Sequence, residues 1–272
     1  MNDGVDRRMW MDFHLHNKHL DSGEKSWTWH GRPPLFVFGS HTFSAKLGAD
    51  QTVINLPLVI GTLCSLSLET VLNTLLSIIK TYQSAGPYLL VGVCDEGYFA
   101  YEIARRLAAS GQEVGLLALI ECTGVGHRGW VRTARTLLFS VTYPTAVVSA
   151  VGRTLKGLKD QAFGTWEARE ERSSNVELVE LYHDHLNKLF RDYKIELDQG
   201  RAPYRGSLVL IFGDRSMFRF LPAWGWRRLV RGKIEILVVS GDHYERLFAG
   251  ESLARELRMC IDKTLCNYTG SA

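Results

Sequence analysis

The chain has 272 residues and an almost balanced charge, with 32 lysine and arginine residues against 29 aspartate and glutamate residues. A net charge of +3 without a dense basic tract gives no support for binding to nucleic acid or to an anionic membrane surface. No apolar run approaches the roughly 18 residues of a membrane span, and the polar N-terminus lacks the apolar core of a signal peptide. We therefore expect a cytoplasmic protein with one large domain that carries an insertion.

The first part of the chain predicts alternating strands and helices. Residues 1–31 are polar, show no sustained period and read as a tail or linker. From residue 32 onward, predicted strands alternate with predicted helices, and this order favours a parallel sheet with crossover helices, which is an α/β fold. The predicted elements, in chain order, are strands at 35–38 and 53–56, a helix at 67–82, a strand at 89–93, a helix that ends at Gly111 and a strand at 114–120.

This alternation stops between about residues 126 and 203, and it returns with strands at 207–212 and 234–240 and a helix at 253–265. A long interruption of this kind is typical of a lid over a site. We therefore assign 32–125 and 204–272 to the core and 126–203 to a mainly helical lid. Four aromatic residues of the lid could line a pocket beneath it, although such residues more often form a lid's own core. They are Trp130, Tyr143, Phe163 and Trp166.

The cysteines and histidines give no evidence of a disulfide framework or a metal site. The five cysteines are odd in number and contain no CxxC pair, which favours reduced thiols. No motif adds a third ligand to either closely spaced histidine pair, and on a helix the second pair would point to different faces. These pairs are His14 with His16 and His183 with His185. We predict no bound metal and no resident cofactor.

The stretch from Gly86 to Gly111 predicts a strand, a sharp turn and a helix. A buried apolar run ends just before Cys94, and Asp95 and Glu96 then open a helical period. A side chain between such a strand and such a helix projects above the carboxyl edge of the sheet, beside the N–H of the next residue. The pattern predicts that Cys94 is a nucleophile and that the Asp95 N–H belongs to an oxyanion hole.

The residues of this stretch, GPYLLVGVCDEGYFAYEIARRLAASGQEV, resemble the elbow of the thioesterase domains of nonribosomal peptide and polyketide synthases. The segment GWRRLVRGKIEILVVSGDHYERLF is similar to the same family, in which a GDH turn follows the last strand. The resemblance covers roughly 33–122 and 205–265. It implies an α/β-hydrolase fold with a mostly parallel sheet flanked by helices. The chain departs from the family pattern at Cys94, where the family has serine, and at Glu96, where a glycine is replaced and the turn should be costlier.

The remaining site residues follow strands that the sequence predicts. His243 lies in the GDH turn after the last strand and is the predicted base, and the order nucleophile, acid, histidine is that of α/β-hydrolases. Glu121, at a strand end where the resemblance implies an aspartate, is the preferred acid. Asp214 is the alternative, although the usual position for an acid after that strand holds Ser216. The resemblance also implies a second oxyanion N–H, which we place near His41.

The chemistry of cysteine favours acyl transfer. Thiol–thioester exchange is nearly balanced in energy, and an acyl-cysteine stays reactive toward amines and thiols. An imidazolium and a helix N-terminus beside Cys94 would favour the thiolate, whereas inward-turned carboxylates of Asp95 and Glu96 would oppose it.

The resemblance implies natural-product biosynthesis, in which a carrier protein presents an aminoacyl, peptidyl or polyketide chain on 4′-phosphopantetheine. Cys94 would take this small acyl substrate and pass it to an amine, a hydroxyl, a thiol or water, which would give cyclisation, transfer or release. Two alternatives remain open: a type II editing thioesterase that hydrolyses mis-primed carriers, and a catalytically dead α/β-hydrolase scaffold. The altered elbow favours the scaffold, and the retained set of Cys94, His243 and Glu121 opposes it.

Overall fold

The computed structural model of the chain describes residues 32–39, 42–56, 67–124, 137–138, 141–142, 202–241 and 250–269. The predicted tail, nearly all of the predicted lid, His41 and His243 lie outside the described residues. The division into tail, core and lid therefore stays a prediction.

The described residues form strands and helices close to those predicted. The strands are β1 (Leu35–Phe38), β2 (Val53–Leu56), β3 (Tyr88–Val93), β4 (Val114–Ile120), β5 (Leu208–Gly213) and β6 (Ile234–Val239). The helices are α1 (Leu68–Tyr82), α2 (Gly97–Ala109), α3 (Trp226–Leu229) and α4 (Glu251–Thr269).

The six strands form one sheet in the order β2-β1-β3-β4-β5-β6, and every neighbouring pair is parallel. This confirms the predicted α/β fold with a parallel sheet. Because all strands run the same way, the residues that follow β1, β3, β4, β5 and β6 lie at one edge, which we call the carboxyl edge. Ligands of open α/β sheets bind outside this edge.

Apolar side chains cover both faces of the sheet. Alternate residues of β1 and β3, such as Phe36 and Leu90, pack with α1 and α2 on one face. The intervening residues, such as Val37 and Val91, pack with α4 on the other. β3 is buried along its whole length, as its continuous apolar run predicted, because both of its faces are covered by helices.

Two helix starts show how local sequence fixes the elements. α1 is capped by Ser67, whose hydroxyl accepts a hydrogen bond from the Thr70 N–H, as the sequence predicted. The predicted start of α2 at Asp95 was wrong by two residues, because Cys94–Glu96 form a separate 3-10 turn and α2 begins at Gly97. Within the described ranges no helix has the length and apolarity needed to cross a membrane.

Candidate active site

Cys94 occupies a strained backbone position directly after β3. Its φ is +50°, in the left-handed region that residues other than glycine rarely adopt. Such a conformation costs on the order of 1–3 kcal/mol and persists only where the flanking structure imposes it. Here the buried strand β3 lies before Cys94, and the 3-10 turn that leads into α2 follows it. The arrangement is that of a nucleophile elbow, with Cys94 at its apex and Asp95 as the next residue.

The elbow is tight at its two retained glycines and not at Glu96. A Cβ on Gly92 would lie 2.5 Å from the Gly97 Cα, and a Cβ on Gly97 would lie 2.6 Å from the Cys122 Sγ. Gly92 therefore lets β3 approach the start of α2, and Gly97 lets the start of α2 approach Cys122, just after β4. The expectation that Glu96 makes the turn costlier was wrong, because its backbone is right-handed helical (φ −63°, ψ −17°) and its side chain is only partly buried.

We expect Gly92→Ala to lower the free energy of unfolding by about 3 kcal/mol, because the new methyl group collides with the backbone of α2. Gly111→Ala is the matched control. Gly111 has a φ of +76° but a Cβ there meets nothing within 4 Å, so only backbone strain of about 1 kcal/mol is expected. Chemical denaturation of both variants measures the difference. Equal losses of stability would contradict the close approach of β3 and α2.

The sheet register places Glu121 beside Cys94. Val93 at the end of β3 pairs with Ile120 at the end of β4, so the two functional candidates follow paired residues on adjacent strands. Glu121 also has a positive φ, +53°, and its side chain is 2% exposed. Two strained residues therefore end neighbouring strands at the carboxyl edge, where strain commonly marks function.

The Glu121 carboxylate is held toward β5. Its Oε1 accepts a hydrogen bond from the Gly213 N–H at 2.7 Å, and its Oε2 accepts one from the Ser216 hydroxyl at 2.5 Å. These two bonds engage both carboxylate oxygens, one from the end of β5 and one from the turn that follows it.

Asp214, the alternative acid, is bonded to the residues at the end of β6 and just after it. Its Oδ1 accepts a hydrogen bond from the Gly241 N–H at 3.0 Å, and its own N–H donates to the Val239 carbonyl at 2.8 Å. Asp214 therefore fixes the turn that leads from β6 toward His243. Of the two carboxylates, this geometry favours Glu121 as the partner of a catalytic base.

The surroundings of Cys94 hold its proton on sulfur. Burial raises the pKa of the Cys94 thiol far above its ordinary value, and the carboxylates of Glu96, Glu121 and Asp95 raise it further. The expected opposition of the carboxylates of Asp95 and Glu96 to the thiolate is therefore present, and Glu121 adds to it. Attack by Cys94 therefore needs a base that removes the proton as the new bond forms.

We expect Glu96→Gln to speed alkylation of Cys94 by iodoacetamide roughly twofold to fivefold at pH 8 and low salt. Removing a nearby negative charge lowers the thiol pKa, so more thiolate is present at a fixed pH. Peptide mass spectrometry follows Cys94 separately from the other cysteines. Glu113→Gln, an exposed change just before β4 at the opposite edge of the sheet, serves as the control. Equal rates for the two variants would contradict the electrostatic account.

The structure brings together part of the predicted site. Cys94, Asp95 and Glu121 lie together at the ends of β3 and β4. β1 pairs with β3, so the residues before His41 reach the same edge, but His41 and His243 themselves lie outside the described residues. Their roles stay predictions. In the described part of the chain no cluster of three or more potential metal-ligating side chains occurs.

Sequence reasoning missed the roles of Gly213 and Ser216. A Cβ on Gly213 would lie 2.6 Å from the Gly241 carbonyl oxygen, so this glycine lets the turn after β6 approach β5. The sequence draws attention to Ser216 only because it occupies the usual position of an acid after this strand. Its contact joins residues 95 positions apart, and no local pattern indicates such a bond.

Comparison with known proteins places this geometry in context. The family model described as "Thioesterase domain" matches residues 41–261, which includes the segment predicted as a lid. A curated relative, the non-reducing polyketide synthase ntnG of a Nectria species, is 26% identical over an alignment of 197 positions that covers 65% of this chain. The match spans only 9% of that synthase.

Solved structures share the fold at low sequence identity. RedJ, a thioesterase from the prodiginine biosynthetic pathway in Streptomyces coelicolor, is 14% identical, with a TM-score of 0.50 and coverage of 84% of this chain and 89% of RedJ. The four-domain nonribosomal peptide synthetase AB3403, bound to AMP and glycine, is 18% identical, with a TM-score of 0.50. That match covers 85% of this chain and 20% of the synthetase.

Proposed function

This chain belongs to the thioesterase domain family, and from that premise we propose that it moves an acyl chain from a carrier protein through Cys94. The substrate is an aminoacyl, peptidyl or polyketide chain held as a thioester on 4′-phosphopantetheine. The acceptor is an amine, a hydroxyl, a thiol or water, within a natural-product assembly line. The observation that carries this proposal is the strained position of Cys94 between β3 and α2, beside the buried Glu121.

In the proposed first step the Cys94 sulfur attacks the thioester carbonyl carbon while His243 takes the thiol proton. The oxyanion that forms is stabilised by the N–H of Asp95 and a second N–H near His41. The tetrahedral intermediate then collapses, the bond to phosphopantetheine breaks, and His243 returns the proton to the departing thiolate. Glu121 orients His243 and stabilises its charged form.

In the second step an acceptor attacks the acyl-cysteine. His243 removes the acceptor proton and delivers it to the Cys94 sulfur, which restores the thiol. Because the raised thiol pKa disfavours a standing thiolate, both steps depend on proton transfer by this base. A thioester intermediate also favours amine and thiol acceptors over water more strongly than a serine ester does, which supports transfer as the main activity.

Product analysis tests the proposal. A panel of acyl-pantetheine thioesters is incubated with the protein, with and without amine acceptors, and products are resolved by liquid chromatography and mass spectrometry. We expect consumption of thioester that depends on Cys94, with amide products when an amine is present. Free acid as the main product under every acceptor would favour the editing hydrolase. No consumption above the Cys94→Ala background with any thioester would contradict an enzymatic role and favour the scaffold.

A further inference from the structure

Ser216 lies buried at the carboxyl edge, in the turn that follows β5. Its side chain is 2% exposed, and its hydroxyl oxygen lies 2.5 Å from Glu121 Oε2. The same oxygen accepts a hydrogen bond from the Phe218 N–H at 3.1 Å. Because that backbone group can only donate to the serine oxygen, the serine hydrogen is directed to the carboxylate.

The turn holds the carboxylate with two donors from one compact unit. The Gly213 N–H binds one Glu121 oxygen and the Ser216 hydroxyl binds the other, while the Ser216 N–H donates to the Gly213 carbonyl at 3.0 Å and closes the turn. A buried carboxylate with both oxygens bound has a fixed plane. Gly213 at the end of β5 and Ser216 in the turn that follows therefore help to set the orientation of the Glu121 carboxylate.

We propose that Ser216 is a positioning residue for acyl transfer and acts through Glu121. It does not touch the substrate. It holds the Glu121 carboxylate in the orientation needed to accept a hydrogen bond from the base that follows β6. This inference rests on the proposed function of Cys94 and names a further member of the same site. Hydrogen bonds to charged groups are among the stronger ones, and their loss in a buried site is correspondingly costly.

A double-mutant cycle tests the proposal. The readout is the single-turnover rate constant for acylation of Cys94 by an acyl-pantetheine thioester, together with KM. We expect Ser216→Ala to lower the rate constant about tenfold with KM unchanged, and Ser216→Thr, which keeps the hydroxyl, to stay within about threefold of the unsubstituted protein. In a Glu121→Gln background Ser216→Ala should cost less than twofold, because the group through which it acts is already lost.

Two controls separate positioning from stability. Ser110→Ala removes one serine hydrogen bond, to the Leu107 carbonyl at the far end of α2, and should leave the acylation rate unchanged. Thermal unfolding of each variant shows whether it is folded. If Ser216→Ala does not fold, Ser216→Cys replaces it, since a thiol of similar size is a poor donor.

Each outcome of the cycle is informative. A lower acylation rate for Ser216→Ala when Glu121 is intact, with little change when Glu121 is replaced by glutamine, supports the proposal. An unchanged rate in Ser216→Ala, or an equal loss in both backgrounds, would overturn the positioning role while the proposed function stands. Failure of the unsubstituted protein to be acylated on Cys94 would overturn the proposed function, and this inference with it.

Discussion

Glu121→Gln is expected to slow acylation of Cys94 roughly 100-fold or more, whereas Asp214→Asn should stay within about threefold of the unsubstituted protein. The glutamine keeps the shape of the side chain but removes the negative charge that stabilises an imidazolium and selects its tautomer. An asparagine at 214 keeps the oxygen that accepts the Gly241 N–H, so the turn toward His243 stays anchored.

The measurement is the single-turnover acylation rate with one acyl-pantetheine thioester at pH 7.5, and thermal unfolding verifies that both variants are folded. Asp214→Ala adds a third arm. It removes the bond to Gly241 and should lower the rate about fivefold by loosening the turn. A large loss in Asp214→Asn with a small loss in Glu121→Gln would reverse the assignment of the acid.

Cys94→Ala should reduce turnover to the background rate, and Cys94→Ser should reduce it roughly tenfold or more and change the products. Serine keeps a nucleophilic atom at the apex of the elbow, but its acyl ester reacts less readily with amines than a thioester does. We therefore expect the share of amide in the product mixture to fall in Cys94→Ser, with free acid taking its place.

Chromatographic product ratios at a fixed amine concentration measure this change. Serine is close to cysteine in size, so we expect the Cys94→Ser variant to keep the elbow backbone, which has a φ of +50° at this position. Faster amide formation by Cys94→Ser than by the unsubstituted protein would contradict the idea that the cysteine favours transfer.

The strands and the elbow could be predicted because their signals are local. The apolar run that ends at Val93 and the strand that ends at Ile120 were assigned correctly, since a strand covered on both faces is apolar throughout. The effect of Glu96 was misjudged because its conformation depends on the 3-10 turn, which the sequence does not reveal.

The contacts of the acids could not be predicted from the sequence. That Glu121 and Asp214 each follow a strand was predicted from the pattern, but the direction of each carboxylate depends on backbone angles and on partners far along the chain. Glu121 turns toward β5 with a φ of +53°, and Asp214 turns toward the residues after β6. Only the structure separates a candidate catalytic acid from a turn anchor.

Rapid-quench mass spectrometry shows whether Cys94 carries the acyl group. The protein is mixed with an acyl-pantetheine thioester, quenched in acid within milliseconds to seconds, weighed intact and then digested for peptide mapping. The account predicts one acyl group per chain, located on the peptide that contains Cys94 and released by neutral hydroxylamine. A protein that stays unmodified while it consumes the thioester, or an acyl group on any other residue, would contradict it.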